Sequence, residues 1–275
     1  ETTGDCRIEC THCGMGCRDG GTLALGAPAV RAPDSITEAR PAEGTMPPSD
    51  GGKEMTSRIR VKYAKTGRIR FLSHLDFMTL VHRTVVRAGV PVAYTQGFNP
   101  HPRLAFGPAH SVGMESEDEY LDMETDPFID LLQVTKVLNS LLPDGVSVLD
   151  SRIIPKQAPS LSGSIGRYMY EVGILTGVVH GIESTIKEFL NRRSIIVERG
   201  EKTQDIRPGI DSLTLKSGNV LEVALRDTES VRPRIVDVIE QLFGVGSEKS
   251  CLYRVKRTAM FTKKNGTWIS PMDEK

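Results

Sequence analysis

The chain has 275 residues with 35 Lys and Arg against 35 Asp and Glu, a length that suits two modest cores, since domains usually run about 100–150 residues. Hydrophobic residues make up 39% and charged residues 25%, ordinary for a globular protein, and no apolar run approaches the roughly 20 residues of a membrane-spanning helix. No basic-then-apolar signal segment follows Glu1, so a cytoplasmic protein with no membrane partner is expected.

The first feature along the chain is Cys6-x3-Cys10-x2-Cys13, with Cys17 close behind. Four thiols crowded into 12 residues suit metal binding in a reducing compartment better than a disulfide framework. The spacing of the first three is that of a radical SAM motif, in which three thiolates hold a [4Fe–4S] cluster and one iron is left for S-adenosylmethionine. Such a loop follows the first strand of a barrel, whereas this one leads into a linker, so the context argues against a catalytic cluster. With Cys17 as fourth ligand the group can close around Zn²⁺ or an auxiliary Fe–S cluster. The alternative is four unliganded thiols in a tail. His12 could replace one ligand, and Cys251 is expected to be an inert core thiol.

Residues 20–55 are rich in Gly, Ala, Pro, Ser and Thr, hold no Phe, Tyr or Trp, and read as a flexible linker after a Cys-rich tail at 1–19. Patterning sharpens at Arg58-Ile59-Arg60-Val61-Lys62-Tyr63, a strand with one apolar and one basic face. Ser73 and Asp76 form a capping box that opens a helix over 74–88, with Leu75, Phe77, Met78, Val81, Val85 and Val86 on one side and His74 and His82 as satisfied interior or boundary histidines. Strands follow at 90–95 and 120–125, then a helix at 128–141 and a strand at 146–154. After a break at 155–164 the same order returns: strand 168–176, helix 182–192, strands 194–199 and 220–226 flanking a loop at 200–218, helix 231–243 and strand 251–262. The expected class is α+β: two tandem ferredoxin-like βαββαβ lobes, 56–155 and 156–275, each with one sheet face left open.

Residues 58–103 carry nine Lys or Arg against the single acid Asp76. Within that run, Gln96-Gly97-Phe98-Asn99-Pro100-His101-Pro102-Arg103 is a loop stiffened by two prolines. Amide, imidazole and guanidinium groups suit base edges and phosphates, and Phe98 and Tyr94 offer faces for stacking. The expected RNA-binding residues are Arg68, Arg70, Arg83, Arg87, Gln96, Phe98, Asn99, His101 and Arg103. The competing structural reading has Gln96 and Asn99 tying down their own turn, Phe98 in the core and the arginines as a solvated face. Polar groups at 201–208 and 256–258 could line a groove between the lobes. No phosphate loop, HExxH or nucleophile elbow is present.

The stretches IRVKYAKTGRIRFLSHLD and AYTQGFNPHPRLAFGPAHSVGMESEDEYLD, with DIRPGI at 205–210 and RVKRTAMF at 254–261, resemble the radical SAM-linked domain of unknown function family (domain of unknown function 2344). GDCRIECTHCGMGC resembles the Cys-rich tail that ends radical SAM proteins of the B12-binding type. The resemblance implies a radical SAM protein of that type as partner. It does not imply that this chain cleaves S-adenosylmethionine. Three expectations compete: a module that binds tRNA or rRNA for modification, a protein-interaction module without nucleic acid contact, and an autonomous enzyme using His101, Arg103 and Asp76.

Overall fold

The computed structural model of the protein describes residues 57–175, 181–216, 219–244 and 253–274. The chain divides into 1–52 and 53–275, and everything below belongs to the second part. The four clustered cysteines, the linker and Cys251 lie outside the described residues.

The described part is a mixed α/β structure built on a large, mostly antiparallel sheet with five helices. In chain order its elements are β1 (Ser57–Lys65), α1 (His74–Arg87), β2 (Leu104–Phe106), β3 (Glu115–Thr125), α2 (Leu131–Leu141) and β4 (Val146–Ile154). They are followed by α3 (Leu161–Ser164), β5 (Ile165–Ile174), α4 (Ile182–Asn191), β6 (Ile196–Arg199) and β7 (Lys202–Asp205). The last are β8 (Ile210–Leu215), β9 (Val220–Arg226), α5 (Ile235–Phe243), β10 (Tyr253–Lys264) and β11 (Thr267–Ile269). The main sheet runs β4-β1-β3-β10-β5-β9-β8, with β2 on β3 and β11 on β10. Its one parallel step, β10 against β3 at Lys256↔Glu115 and Arg257↔Ser116, makes the two halves of the chain share a single sheet. Among the described residues no helix is long and apolar enough to cross a membrane.

Alternation sorts the strands. Ile59, Val61 and Tyr63 of β1, with Leu121 and Met123 of β3, pack under Phe77, Val81 and Val85 of α1 and Val134 and Leu138 of α2. A second cluster joins Tyr168, Tyr170 and Val172 of β5, Leu221, Val223 and Leu225 of β9, and the apolar faces of α4 and α5. The residues between them, Arg58, Arg60 and Lys62 on β1, therefore face the helix-free side.

That side is not left open as expected. After β11 the chain turns back through Pro271 and Met272, both buried, and lies over the first half. Arg60, fully buried, donates to both oxygens of Asp122 at 2.7 and 2.9 Å, to the Pro271 carbonyl at 2.8 Å and to Glu274 at 2.6 Å. A guanidinium in this position is tolerable only with such a full set of acceptors.

Several boundaries differ from the sequence reading. In place of a strand at 90–95 there are isolated pairings at Val92↔Thr125 and Tyr94↔Pro102. Pro91 and Pro102 lack the N–H a ladder needs, and the strand that forms is β2. The loop expected at 200–218 holds β7 and β8, and 194–199 belongs to a separate β6–β7 hairpin rather than to the main sheet. The alternation of polar residues in Lys202-Thr203-Gln204-Asp205 hid β7. Strand β3 begins five residues early because its acids have partners across the sheet. Helix α2 begins only at Leu131, where Asp130 accepts from Leu132 and Gln133 N–H at 2.9 and 3.2 Å; α5 begins at Ile235, beyond Pro233. The Ser73–Asp76 cap is present, with Asp76 N–H to Ser73 Oγ at 3.1 Å. On α1, however, Leu75 and Val86 are exposed at 73% and 53%.

Candidate nucleic-acid interface

The loop between Ala93 and Arg103 is closed at its base by backbone hydrogen bonds. Arg103 N–H donates to the Ala93 carbonyl and Thr95 N–H to the His101 carbonyl, each at 2.8 Å, and His101 N–H donates to Thr95 Oγ1 at 3.0 Å. Gly97 sits at φ +141°, a conformation that side chains disfavour. Beyond this base Gln96, Phe98, Asn99 and His101 all face solvent, and Phe98 is as exposed as in an extended chain, at 106%. Among the described residues neither Gln96 nor Asn99 forms a side-chain hydrogen bond. The competing structural reading of these three residues is thereby overturned: the turn is held by Thr95 and backbone, and Phe98 is outside the core.

Helix α1 lies beside the loop's return. The His74 and His82 rings pack on Phe106 with centroids 6.0 and 6.2 Å away. Burial first, and His101 nearby second, hold the His82 imidazole below its usual pKa. His82 Nε2 is buried without a hydrogen-bond partner, so the expectation of a satisfied interior histidine is not met at that atom.

The predicted arginines divide into two groups. Arg68 and Arg70 belong to the 3-10 turn Gly67–Phe71 before α1, whereas Arg83 and Arg87 lie in its last two turns, toward the far end of a 14-residue helix about 20 Å long. Arg70 pairs with Glu115 at 2.9 Å and lies over the Phe71 ring at 4.6 Å. Arg103 pairs with Glu124 at 2.9 Å, both side chains about half exposed. Arg68, Arg83 and Arg87 have no ion pair among the described residues. The residues of the enzyme reading are likewise not assembled: Asp76 is engaged by Ser73 at 2.7 Å and Arg103 by Glu124, and no hydrogen bond or ion pair joins either to His101.

A cavity of about 570 Å³ opens on the helix-free face beside the loop's base, lined by Ser57 and Arg58 of β1, Asp122 and Glu124 of β3, Thr95, Arg103, Ala105 and Lys156 among others. Sequence reasoning missed it because it takes three strands and the segment after β4 to enclose it. Also missed is the polar junction where the halves meet. Arg257 on β10, buried, is held by Glu119 of β3 and donates to the Pro108 carbonyl at 3.0 Å. His110 stands 4.0 Å from Glu119, and burial keeps its imidazole below the usual pKa despite that carboxylate. The signal was present in Val255-x-Arg257, an arginine at a core-facing alternation position. Arg207, expected at a groove, instead donates to the Leu190 and Ile210 carbonyls. Among the described residues there is no group of three or more His, Cys, Asp or Glu placed to hold a metal ion.

The loop's side chains are thus exposed above a hydrogen-bonded base, and among the described residues His101, Arg103 and Asp76 are not joined into one set. The family model described as Uncharacterized protein conserved in bacteria (DUF2344) matches residues 58–233. The chain belongs to that family. A search of the curated proteins finds no match. Among solved structures, a crystal structure of an unknown protein from Galdieria sulphuraria aligns at 15% identity over 62% of this chain and 83% of that one, with a TM-score of 0.23.

Proposed function

We propose that the chain is an RNA-binding, substrate-presenting module of a radical SAM enzyme system, acting with a radical SAM protein of the B12-binding type on tRNA or rRNA. The observation that carries the RNA part is the braced loop at 95–101, which projects Phe98, Gln96, Asn99 and His101 into solvent, none of the three polar side chains hydrogen-bonded to another described residue. A fully exposed Phe costs solubility and contributes nothing to the core, whereas aromatic faces beside cations are the common means of holding single-stranded nucleic acid. The link to radical SAM chemistry rests on the resemblance of residues 56–262, and the metal assignment on the tail: Cys6, Cys10, Cys13 and Cys17 would hold Zn²⁺ or an Fe–S cluster. The strand orders β4-β1-β3, with β2 beyond β3, and β10-β5-β9-β8 support reading the domain as two ferredoxin-like units fused through β3 and β10.

The test is anaerobic co-purification with a co-expressed B12-binding radical SAM protein, sequencing of bound RNA, and metal analysis. One RNA class enriched over total RNA, and lost with Phe98→Ala, is the expected result; a stable complex free of RNA would leave a protein-interaction module instead. That second reading draws on the exposed Phe71, Leu75 and Val112, of which Phe71 and Val112 adjoin the hydrogen bond from Gly113 N–H to the Arg70 carbonyl at 2.8 Å. The proposal further expects no 5′-deoxyadenosine release by this chain alone, because radical chemistry needs a cluster enclosed with its cofactor away from water. Catalytic release abolished by Cys6→Ala would contradict it.

A further inference from the structure

We infer that the cavity on the helix-free face takes one nucleotide of the bound RNA strand, its phosphate on Lys156 and Arg103 and its base against the wall that Ala105 and Pro102 provide. The inference rests on the RNA reading above and names the unit that enters the protein.

The wall of this cavity is fixed by Arg58. Its guanidinium is held by Asp122 at 2.6 Å and donates to the carbonyls of Ala158 at 2.6 Å and of Lys156 at 3.3 Å. The segment after β4 is thereby held over the sheet, and Arg58 is a positioning residue rather than a ligand-binding one. Asp122 is committed as well, since it also accepts from the buried Arg60.

The charges left for a ligand are then few. Glu124 neutralises Arg103, but that pair is about half exposed on both sides, and such pairs are worth only about 0–1 kcal/mol. A phosphate can therefore take the guanidinium from Glu124 at small cost. Lys156 is exposed and has no ion pair among the described residues, so it is the one lining cation without a carboxylate partner. One uncompensated cation matches the single charge of a phosphodiester. The Glu124 carboxylate, once released, and the Thr95 and Ser57 hydroxyls are acceptors suited to a base amino group or a ribose hydroxyl.

Size and path agree with this occupant. About 570 Å³ exceeds what a bare phosphate needs and falls in the range of pockets for ring-bearing ligands. Tyr94, 45% exposed, and Phe98 lie on the loop whose base forms the cavity rim, so flanking bases can stack outside while one is received inside.

The experiment uses the full chain and a fluorescein-labelled single-stranded heptanucleotide of mixed sequence, with a second RNA carrying 2-aminopurine at each position in turn. Lys156→Gln and Ala105→Phe, the latter filling the cavity, are each expected to weaken binding at least tenfold. Lys156→Gln is also expected to lower the slope of log affinity against log salt by about 0.7. One 2-aminopurine position should change its fluorescence in the wild type and not in Ala105→Phe. Lys156 is exposed, so its variant reports even where Ala105→Phe perturbs folding. Binding that needs Phe98 yet is indifferent to both variants would overturn the pocket and leave the RNA reading standing. Should the wild-type chain bind no RNA, the RNA reading fails and the pocket assignment fails with it.

Discussion

Two stretches of one basic run meet opposite fates. Arg58, Arg60 and Lys62 alternate along β1, and each reaches an acid of β3 at 2.6–2.7 Å. Arg68, Arg83 and Arg87, on the turn and helix that follow, have no such partner among the described residues. The difference lies in geometry. Residues facing each other on neighbouring strands lie about 5 Å apart, and β3 supplies Asp118, Asp122 and Glu124 there; among the described residues no acid pairs with Arg83 or Arg87 of α1. A count of charges along the chain therefore overstates the electropositive surface, because pairing between strands far apart in sequence neutralises much of it.

The largest effect is expected at the buried pair that β3 makes with β10 rather than with β1. Replacing Arg257 by Met leaves the Glu119 carboxylate buried without its partner, and a loss of about 3–5 kcal/mol is expected in urea unfolding. The double change Arg257→Met/Glu119→Leu should recover most of that loss, since a buried pair is often no better than apolar residues of like volume. A double variant as unstable as the single one would show that the junction is held by something other than charge.

On the exposed side the signs reverse. Phe98→Ala should leave stability within about 0.5 kcal/mol and cost about 1–3 kcal/mol of single-stranded RNA affinity, roughly a 5- to 150-fold change. Arg103→Ala should cost about 0–1 kcal/mol of stability, as half-exposed pairs do; a larger loss would move Arg103 to the structural group.

The smallest expected effect is a pH dependence. The His110 imidazole is held by burial below its usual value near 6.5, so the unfolded chain binds its proton more readily than the folded one. That contribution to stability is complete above about pH 6.5 and is lost as pH falls through the depressed folded value. His110→Gln should make the fall in stability below about pH 6.5 shallower, leaving the part contributed by His82, which burial also holds low; an unchanged slope would exclude His110 as a source.

Much of the fold was legible because periodicity was strong where packing is local. The α1 cap, the β1 alternation and the α4 register all follow from neighbours within a few residues. The closure of the helix-free face was not, since nothing near Arg60 in sequence announces that residues 271–274, more than 200 positions on, will complete its hydrogen bonds. Of the site, the loop was legible from two prolines and Gly97, whereas the sequence left open whether Gln96, Phe98 and Asn99 face solvent or serve the turn and core. The cavity was not, because it depends on where Arg58 holds the backbone at Lys156 and Ala158.

In the proposed function the loop holds an RNA strand by stacking, and Arg68, Arg83 and Arg87, without ion pairs among the described residues, neutralise its phosphates. The most direct measurement is the affinity of the full chain for a single-stranded RNA from 50 to 300 mM salt, in the wild type, Phe98→Ala and Arg83→Gln/Arg87→Gln. A negative slope is predicted, made shallower by about 0.7 for each phosphate that the arginine variant no longer neutralises, with Phe98→Ala weaker at every salt concentration and its slope unchanged. Affinity independent of salt, or equal in all three proteins, would contradict the account.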